Sequence, residues 1–225
     1  MASASRRIVD LTHVLEDGMV TYPGLPAPAI SDWLSWEASS NRYAPGTEFQ
    51  IGRIDMIANT GTYLDAPSHR HRDGRDLAAL PLESVAALDG VVVDVRDRDQ
   101  PAVDAQVFDG LDLSGLAVLV HTGWDAHWRT ESYGGPDAPY LTADAARALV
   151  DAGATLVGID ALNIDSGADG TRPVHTLLLA HEVPVLEHLT NLGALPAGGF
   201  ELHAAPVPVR GMGTFPVRAY AIVRG

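Results

Sequence analysis

The 225-residue chain has no cysteine and no lysine. Without cysteine there can be no disulfide framework, thiolate zinc site or thiol nucleophile. Without lysine there can be no Schiff-base amine and no phosphate-binding P-loop. Aromatic residues are sparse, at 6%, and all positive side-chain charge rests on 15 arginines against 29 acidic residues, a formal net charge of -14. So acidic a surface repels phosphate backbones and anionic lipid, which argues against nucleic acid and membrane as partners. No apolar run has the length of a membrane-spanning helix, and the opening MASASRR is not followed by a signal-like apolar segment. The expectation is a cytoplasmic protein with a small-molecule partner. Its catalytic chemistry is confined to His, Asp, Glu, Ser, Thr, Tyr and Arg.

What is present is ordinary globular material, 46% hydrophobic and 20% charged. At this length folding buries roughly 70–75% of the unfolded chain's surface, so the core needs no covalent staple. No repeat, linker or low-complexity tract divides the sequence, and residues 1–225 read as a single domain. Short β-branched apolar runs at Val91–Val95, Leu116–Val120, Thr155–Ile159, Val183–Leu186 and Ala219–Val223 predict buried strands. Leu141–Gly153 predicts a helix with Thr142 as N-cap and Gly153 as stop, and Pro173–His181 a second with proline in its first turn. Phe49–Thr60 alternates as a strand entering a Thr-Gly-Thr turn. Leu25–Pro45 has no clear period and reads as a covering loop or an irregular helix. The class is α/β, a single mixed-sheet domain.

Chemistry concentrates in two places. Between Asn59 and His69 the sequence NTGTYLDAPSH sets an amide, a phenol, a carboxylate and an imidazole at Asn59, Tyr63, Asp65 and His69, around a flexible Gly61 and a stiff Pro67. Such groups are costly to bury unless they pair or bind something, although a plain polar turn is an open alternative. The second set is His175 and Glu187, twelve residues apart, which meet only if the intervening helix and strand fold back. Asp160 and Asp165 bracket a turn and read as loop anchors. Tyr22, Trp36 and Trp124 are candidate walls for a flat substrate, and the remaining histidines read as surface or core residues.

The first string resembles the signature H-x-G-T-H-x-D-x-P-x-H of the cyclase family that includes bacterial kynurenine formamidase and isatin hydrolase. Asp10-Leu-Thr-His13, Tyr22-Pro-Gly24, Asp73-Gly74, Leu80-Pro-Leu82, Thr122-Gly-Trp124, Gly158-Ile-Asp160, His175, and Glu187 with Thr190-Asn-Leu192 follow in the family's order. The resemblance implies a swivelling β/β/α fold and a homo-oligomer, dimer or tetramer. In metal-dependent members the first two signature histidines and the Asp bind zinc or manganese, the last histidine is an acid or base, and a downstream His and Glu complete the site. By that correspondence Asp65, His69, His175 and Glu187 are retained, while Asn59 and Tyr63 replace two metal-ligand histidines. A surviving metal would rest on Asp65, His175 and Glu187.

The favoured expectation is metal-free, with no cofactor. It is a cyclase or lyase acting on a carbonyl-rich, polyketide-like natural-product intermediate. In it His69 moves protons, Asn59 and Tyr63 donate to an oxyanion, and Asp65 and Glu187 orient the histidines. The alternatives are a Zn- or Mn-dependent hydrolase of an N-formyl, cyclic amide or lactone bond, and a noncatalytic binding relative.

Overall fold

A computed structural model describes residues 6–22 and 24–224. In chain order the elements are β1 (Arg6–Asp10), β2 (Ala29–Leu34), α1 (Trp36–Ser40), β3 (Ile51–Asp55), β4 (Tyr63–Asp65), β5 (Leu88–Asp94), β6 (Ala102–Val103), β7 (Ala117–His121), β8 (Tyr140–Leu141), α2 (Ala143–Asp151), β9 (Leu156–Ile159), α3 (Pro173–Ala180), β10 (Val185–Glu187), β11 (Gly198–His203), β12 (Thr214–Pro216) and β13 (Tyr220–Arg224). Nine strands form one mixed sheet in the order β1-β13-β11-β5-β7-β9-β10-β4-β12. Its centre, β5-β7-β9-β10, is parallel, and antiparallel strands extend it on both sides. Every residue of β7 and β9 is buried, as parallel strands covered on both faces require.

Helices α2 and α3 pack on one face, where Leu149, Leu178 and Leu179 meet Val118, Val120 and Val157. The opposite face buries Leu11, Leu64, Leu119, Leu186 and Leu202 in a second core. The Thr142 hydroxyl caps α2 by accepting from the Ala145 amide. Gly153, at φ 78°, takes the chain out of the helix as expected. The two helices and five apolar runs therefore fall where the sequence predicts them, with bounds shifted by at most three residues. Among the described residues no helix is long and apolar enough to cross a membrane.

The segment expected to be a loop or irregular helix differs. It contains strand β2, paired antiparallel with β3 in a separate two-stranded sheet, and the short helix α1. Nearly every position of both strands is exposed, so neither packs a face on a core; β2 accordingly carries no legible alternation, whereas β3 falls inside the strand expected over Phe49–Thr60.

The sheet order decides which side chains meet. Strand β4 lies between β10 and β12, so Tyr63 stands opposite Glu187 and Asp65 opposite Thr214. Gly213 makes the second pairing possible. A β-carbon there would sit 2.3 Å from the His69 backbone nitrogen, so only glycine lets β12 run against the turn that carries His69.

Candidate active site

Asp65 is fully buried in β4, and the tight turn Pro67–His69 brings His69 back over it. The Thr214 hydroxyl donates to Asp65 Oδ1, and its oxygen lies 2.6 Å from His69 Nδ1. A hydroxyl has one proton. With that proton on the carboxylate, Thr214 accepts from His69 Nδ1–H, and the neutral imidazole keeps its lone pair on Nε2. Asp65, Thr214 and His69 thus form a relay that fixes the tautomer of a partly exposed histidine.

His175 lies in the first turn of α3. Asp165 takes the Val174 and His175 amides at 2.7 and 3.1 Å and His175 Nδ1 at 2.6 Å, so one carboxylate caps the helix and orients the ring. The turn-anchor role expected of Asp165 is therefore only part of what it does. His175 Nε2 stands 3.4 Å from Asp65 Oδ2 and 3.7 Å from Glu187 Oε1. Burial opposes charge on His175, but the bond to Asp165 and the closeness of the Asp65 and Glu187 carboxylates outweigh it and raise its pKa to about 10.

Glu187 closes the set. It accepts from the Tyr63 hydroxyl at 2.5 Å and from the Ile164 amide at 2.6 Å. Burial raises its pKa to about 7, against the pull of His175 and these two bonds. The helix and strand do fold back, and His175 and Glu187 converge on the first cluster; the His69 and His175 rings are 5.7 Å apart.

His69, His175 and Glu187 open into a cavity of about 300 Å³ that also exposes Tyr22, Asn59, Asn163, Arg70 and Arg172. Tyr63 lines it, but its proton is committed to Glu187, so it positions that carboxylate and does not serve as an oxyanion donor. Two expected walls are elsewhere. Trp124 packs against the α2/α3 core with its indole N–H on the Tyr133 carbonyl. Trp36 is half exposed on α1 and touches neither this cavity nor the one beside it. Thr214 and Arg172 escaped the sequence reading. Thr214 is 149 residues from Asp65 and meets it only through sheet register. Arg172, beside Pro173 and His175, carried a local signal in its proximity to a candidate ligand.

Asp65 Oδ2 is buried with no hydrogen-bond partner among the described residues. Donor atoms of Asp65, His69 and His175 come within 4.8 Å of one another. An orphaned carboxylate oxygen facing an imidazole nitrogen, with a second carboxylate behind that imidazole, fits one small divalent cation. Because His69 Nδ1 is engaged by Thr214, the donors left to hold it are Asp65 and His175, with Glu187 adjacent.

Comparison with known proteins finds relatives along most of the chain. Residues 9–166 match the model of the family described as putative cyclase. The chain is 31% identical to the kynurenine formamidase of Salinibacter ruber, over 94% of this chain and 95% of that one. Among solved structures it is similar to isatin hydrolase A from Labrenzia aggregata, with a TM-score of 0.80 and 27% identity over 98% and 94% of the two chains. It also resembles a predicted metal-dependent hydrolase from Bacillus stearothermophilus, with a TM-score of 0.78 and 27% identity over 98% and 100%.

Proposed function

The chain belongs to the cyclase family, and from that premise we propose that it hydrolyses an activated acyl bond, an aryl formamide, lactam or lactone, with His69 as general base. The observation that carries the reading is the Asp65–Thr214–His69 relay, which leaves an Nε2 lone pair at a cavity wall. The relatives' names, kynurenine formamidase and isatin hydrolase, point to the same bond class. His69 Nε2 takes a proton from water while the water oxygen bonds to the carbonyl carbon and the π electrons move to oxygen. When the carbonyl re-forms, the bond to nitrogen or oxygen breaks and His69 returns the proton to the leaving atom. Asn59 is the amide donor in the cavity for the developing oxyanion. Asp65 and His175, with Glu187, would hold one Zn or Mn ion, which supplies Lewis-acid polarisation of the carbonyl when bound.

A second reading is favoured by one observation. His175, held by Asp165 between Asp65 and Glu187, carries as an imidazolium the positive charge that a cation would supply. On that reading the enzyme is metal-free, and His69 removes a C–H or O–H proton to close a ring in a carbonyl-rich natural-product intermediate. Activity toward formanilide and isatin, measured with and without EDTA and after adding back Zn or Mn, separates the two. Hydrolysis that EDTA abolishes and metal restores supports the first reading, and His69→Ala then lowers kcat by about 10²–10⁴-fold. No hydrolysis of either compound by the metal-loaded protein rejects it, as does undiminished turnover by His69→Ala.

The proposal includes a homo-oligomer working in the cytoplasm. The β2–β3 arm bares Trp33, Phe49, Ile51 and Ile54, each about half exposed or more, and a two-stranded ribbon is marginal unless something covers it. Light scattering at micromolar concentration should give a dimer or tetramer that Trp33→Glu with Ile54→Glu dissociates. A monomeric wild type overturns this assignment.

A further inference from the structure

Six arginines, Arg75, Arg96, Arg98, Arg129, Arg218 and Arg224, lie within 4.0 Å of a carboxylate, as expected in a chain this acidic. The two at the cavity do not. Arg172 is partly buried, with Nη1 donating to the Asn163 side-chain oxygen at 3.0 Å and Nη2 to the Tyr22 hydroxyl at 3.4 Å. Arg70 donates through Nε to the Thr176 hydroxyl at 2.9 Å. The carboxylates beneath are already engaged: both oxygens of Asp165 accept from α3, and both oxygens of Glu187 from Tyr63 and Ile164. Among the described residues neither guanidinium is bonded to them, and Arg172 uses two of its five N–H donors. The Arg172 backbone is left-handed, at φ 50° and ψ 58°, a conformation in which a non-glycine residue is strained.

A second cavity of about 380 Å³ adjoins the first and shares Tyr22 and Asn163 with it. Its lining offers Pro136, Pro139, Tyr140 and Leu162 as apolar surface, beside the polar Asp165 and Ser166. The two neutral partners of Arg172 therefore stand at the junction of the two cavities.

We infer that the substrate carries a carboxylate, that Arg172 binds it at this junction with help from Arg70, and that an apolar or aryl portion extends into the second cavity. The planar fork of a guanidinium matches a carboxylate and is pre-organised here by Asn163 and Tyr22. Buried Asp65 and Glu187 repel the same anion. A cationic edge over an anionic floor thus leaves one orientation, with the carboxylate held away from the floor and the electrophilic carbon toward His69. This rests on the reading of the first cavity as the reaction site.

The test is calorimetric binding of 2-aminobenzoate and its neutral counterpart 2-aminobenzamide, to metal-loaded and to EDTA-treated protein. Wild type should bind the anion about tenfold more tightly than the amide, in both preparations and less so at high salt. Arg172→Gln should bring the two ligands within about twofold by weakening only the anion, while Arg172→Lys restores part of the preference and Arg70→Gln loses a smaller part. Unchanged thermal melting keeps these results separate from a folding defect. No preference in wild type, a preference that survives Arg172→Gln, or one that vanishes with the metal overturns the assignment. The His69→Ala protein separates this inference from the hydrolase reading. Its anion preference persists if Arg172 is the clamp, whether or not wild type turns over formanilide or isatin.

Discussion

His175 and His188 lie on either side of Glu187, and their surroundings shift the same side chain's pKa in opposite directions. His175 faces three buried carboxylates, Asp65, Asp165 and Glu187, and its pKa is raised to about 10. His188 is fully buried among the rings of Tyr63, Trp128 and Tyr133. Its Nδ1 is 3.0 Å from the Tyr133 hydroxyl, and no carboxylate pairs with it among the described residues. Burial, reinforced by the nearby His13, lowers its pKa to about 3. Depth is common to both, so the difference comes from partners. Burial alone gives a neutral packing histidine, and burial among carboxylates gives a cation or a metal ligand. The strand ends at Glu187, on the reacting side, and His188 follows in left-handed backbone at φ 56°, with its ring on the packing side.

The largest expected effect comes from removing the charge that distinguishes His175. Asp165→Asn takes away the carboxylate that caps α3 and bonds Nδ1, and in EDTA-treated protein it should cost about 3–5 kcal/mol at pH 7. The pH dependence checks the cause. A histidine raised from 6.5 to about 10 contributes stability that is complete below pH 6.5 and is lost as pH climbs to about 10. Wild type should therefore lose stability across that range, and Asp165→Asn should flatten the slope. His188 acts in the opposite direction. Its lowered pKa gives stability present above pH 6.5 and lost as pH falls toward 3, on the order of a few kcal/mol at the limit. His188→Asn, which keeps a partner for Tyr133, should remove part of that acid loss and cost about 1–2 kcal/mol at pH 7. Denaturant midpoints between pH 4 and 10 read both slopes. Equal effects of the two variants at both ends of the range would erase the distinction.

The legible and illegible parts of the molecule divide along a related line. Strands β7 and β9 are readable because burial on both faces forces continuous apolar runs, and the ends of α2 because Thr142 and Gly153 act locally. Strand β2 was not readable, since a ribbon bare on both faces imposes no pattern. In the site, Asp65 and His69 stand in one short motif, whereas Thr214 reaches them only through the β4–β12 register, which no local spacing encodes. Asp165 was visible as a turn residue. That it orients His175 follows from the meeting of a loop and a helix N-terminus. Trp124 misled because an aromatic after a strand is equally suited to a pocket wall or a core, and its indole N–H found the Tyr133 carbonyl.

Tyr63 touches both histidine environments and gives the smallest and most selective perturbation. Its hydroxyl bonds Glu187, while its ring lies 5.1 Å from that of His188. Tyr63→Phe keeps the ring and deletes the bond, leaving the Ile164 amide as the remaining donor to Glu187. The buried carboxylate, at about 7 with both donors, then holds its charge less well, and its pKa rises. If the charged form of Glu187 supports turnover, the acid limb of the kcat/KM profile should move up by about one pH unit. Activity at pH 7 should then fall several-fold and recover at higher pH, while the acid stability slope assigned to His188 stays as in wild type. A limb that does not move assigns it to a group other than Glu187. A changed His188 slope would mean that the two sides of β10 are coupled through this ring and do not titrate independently.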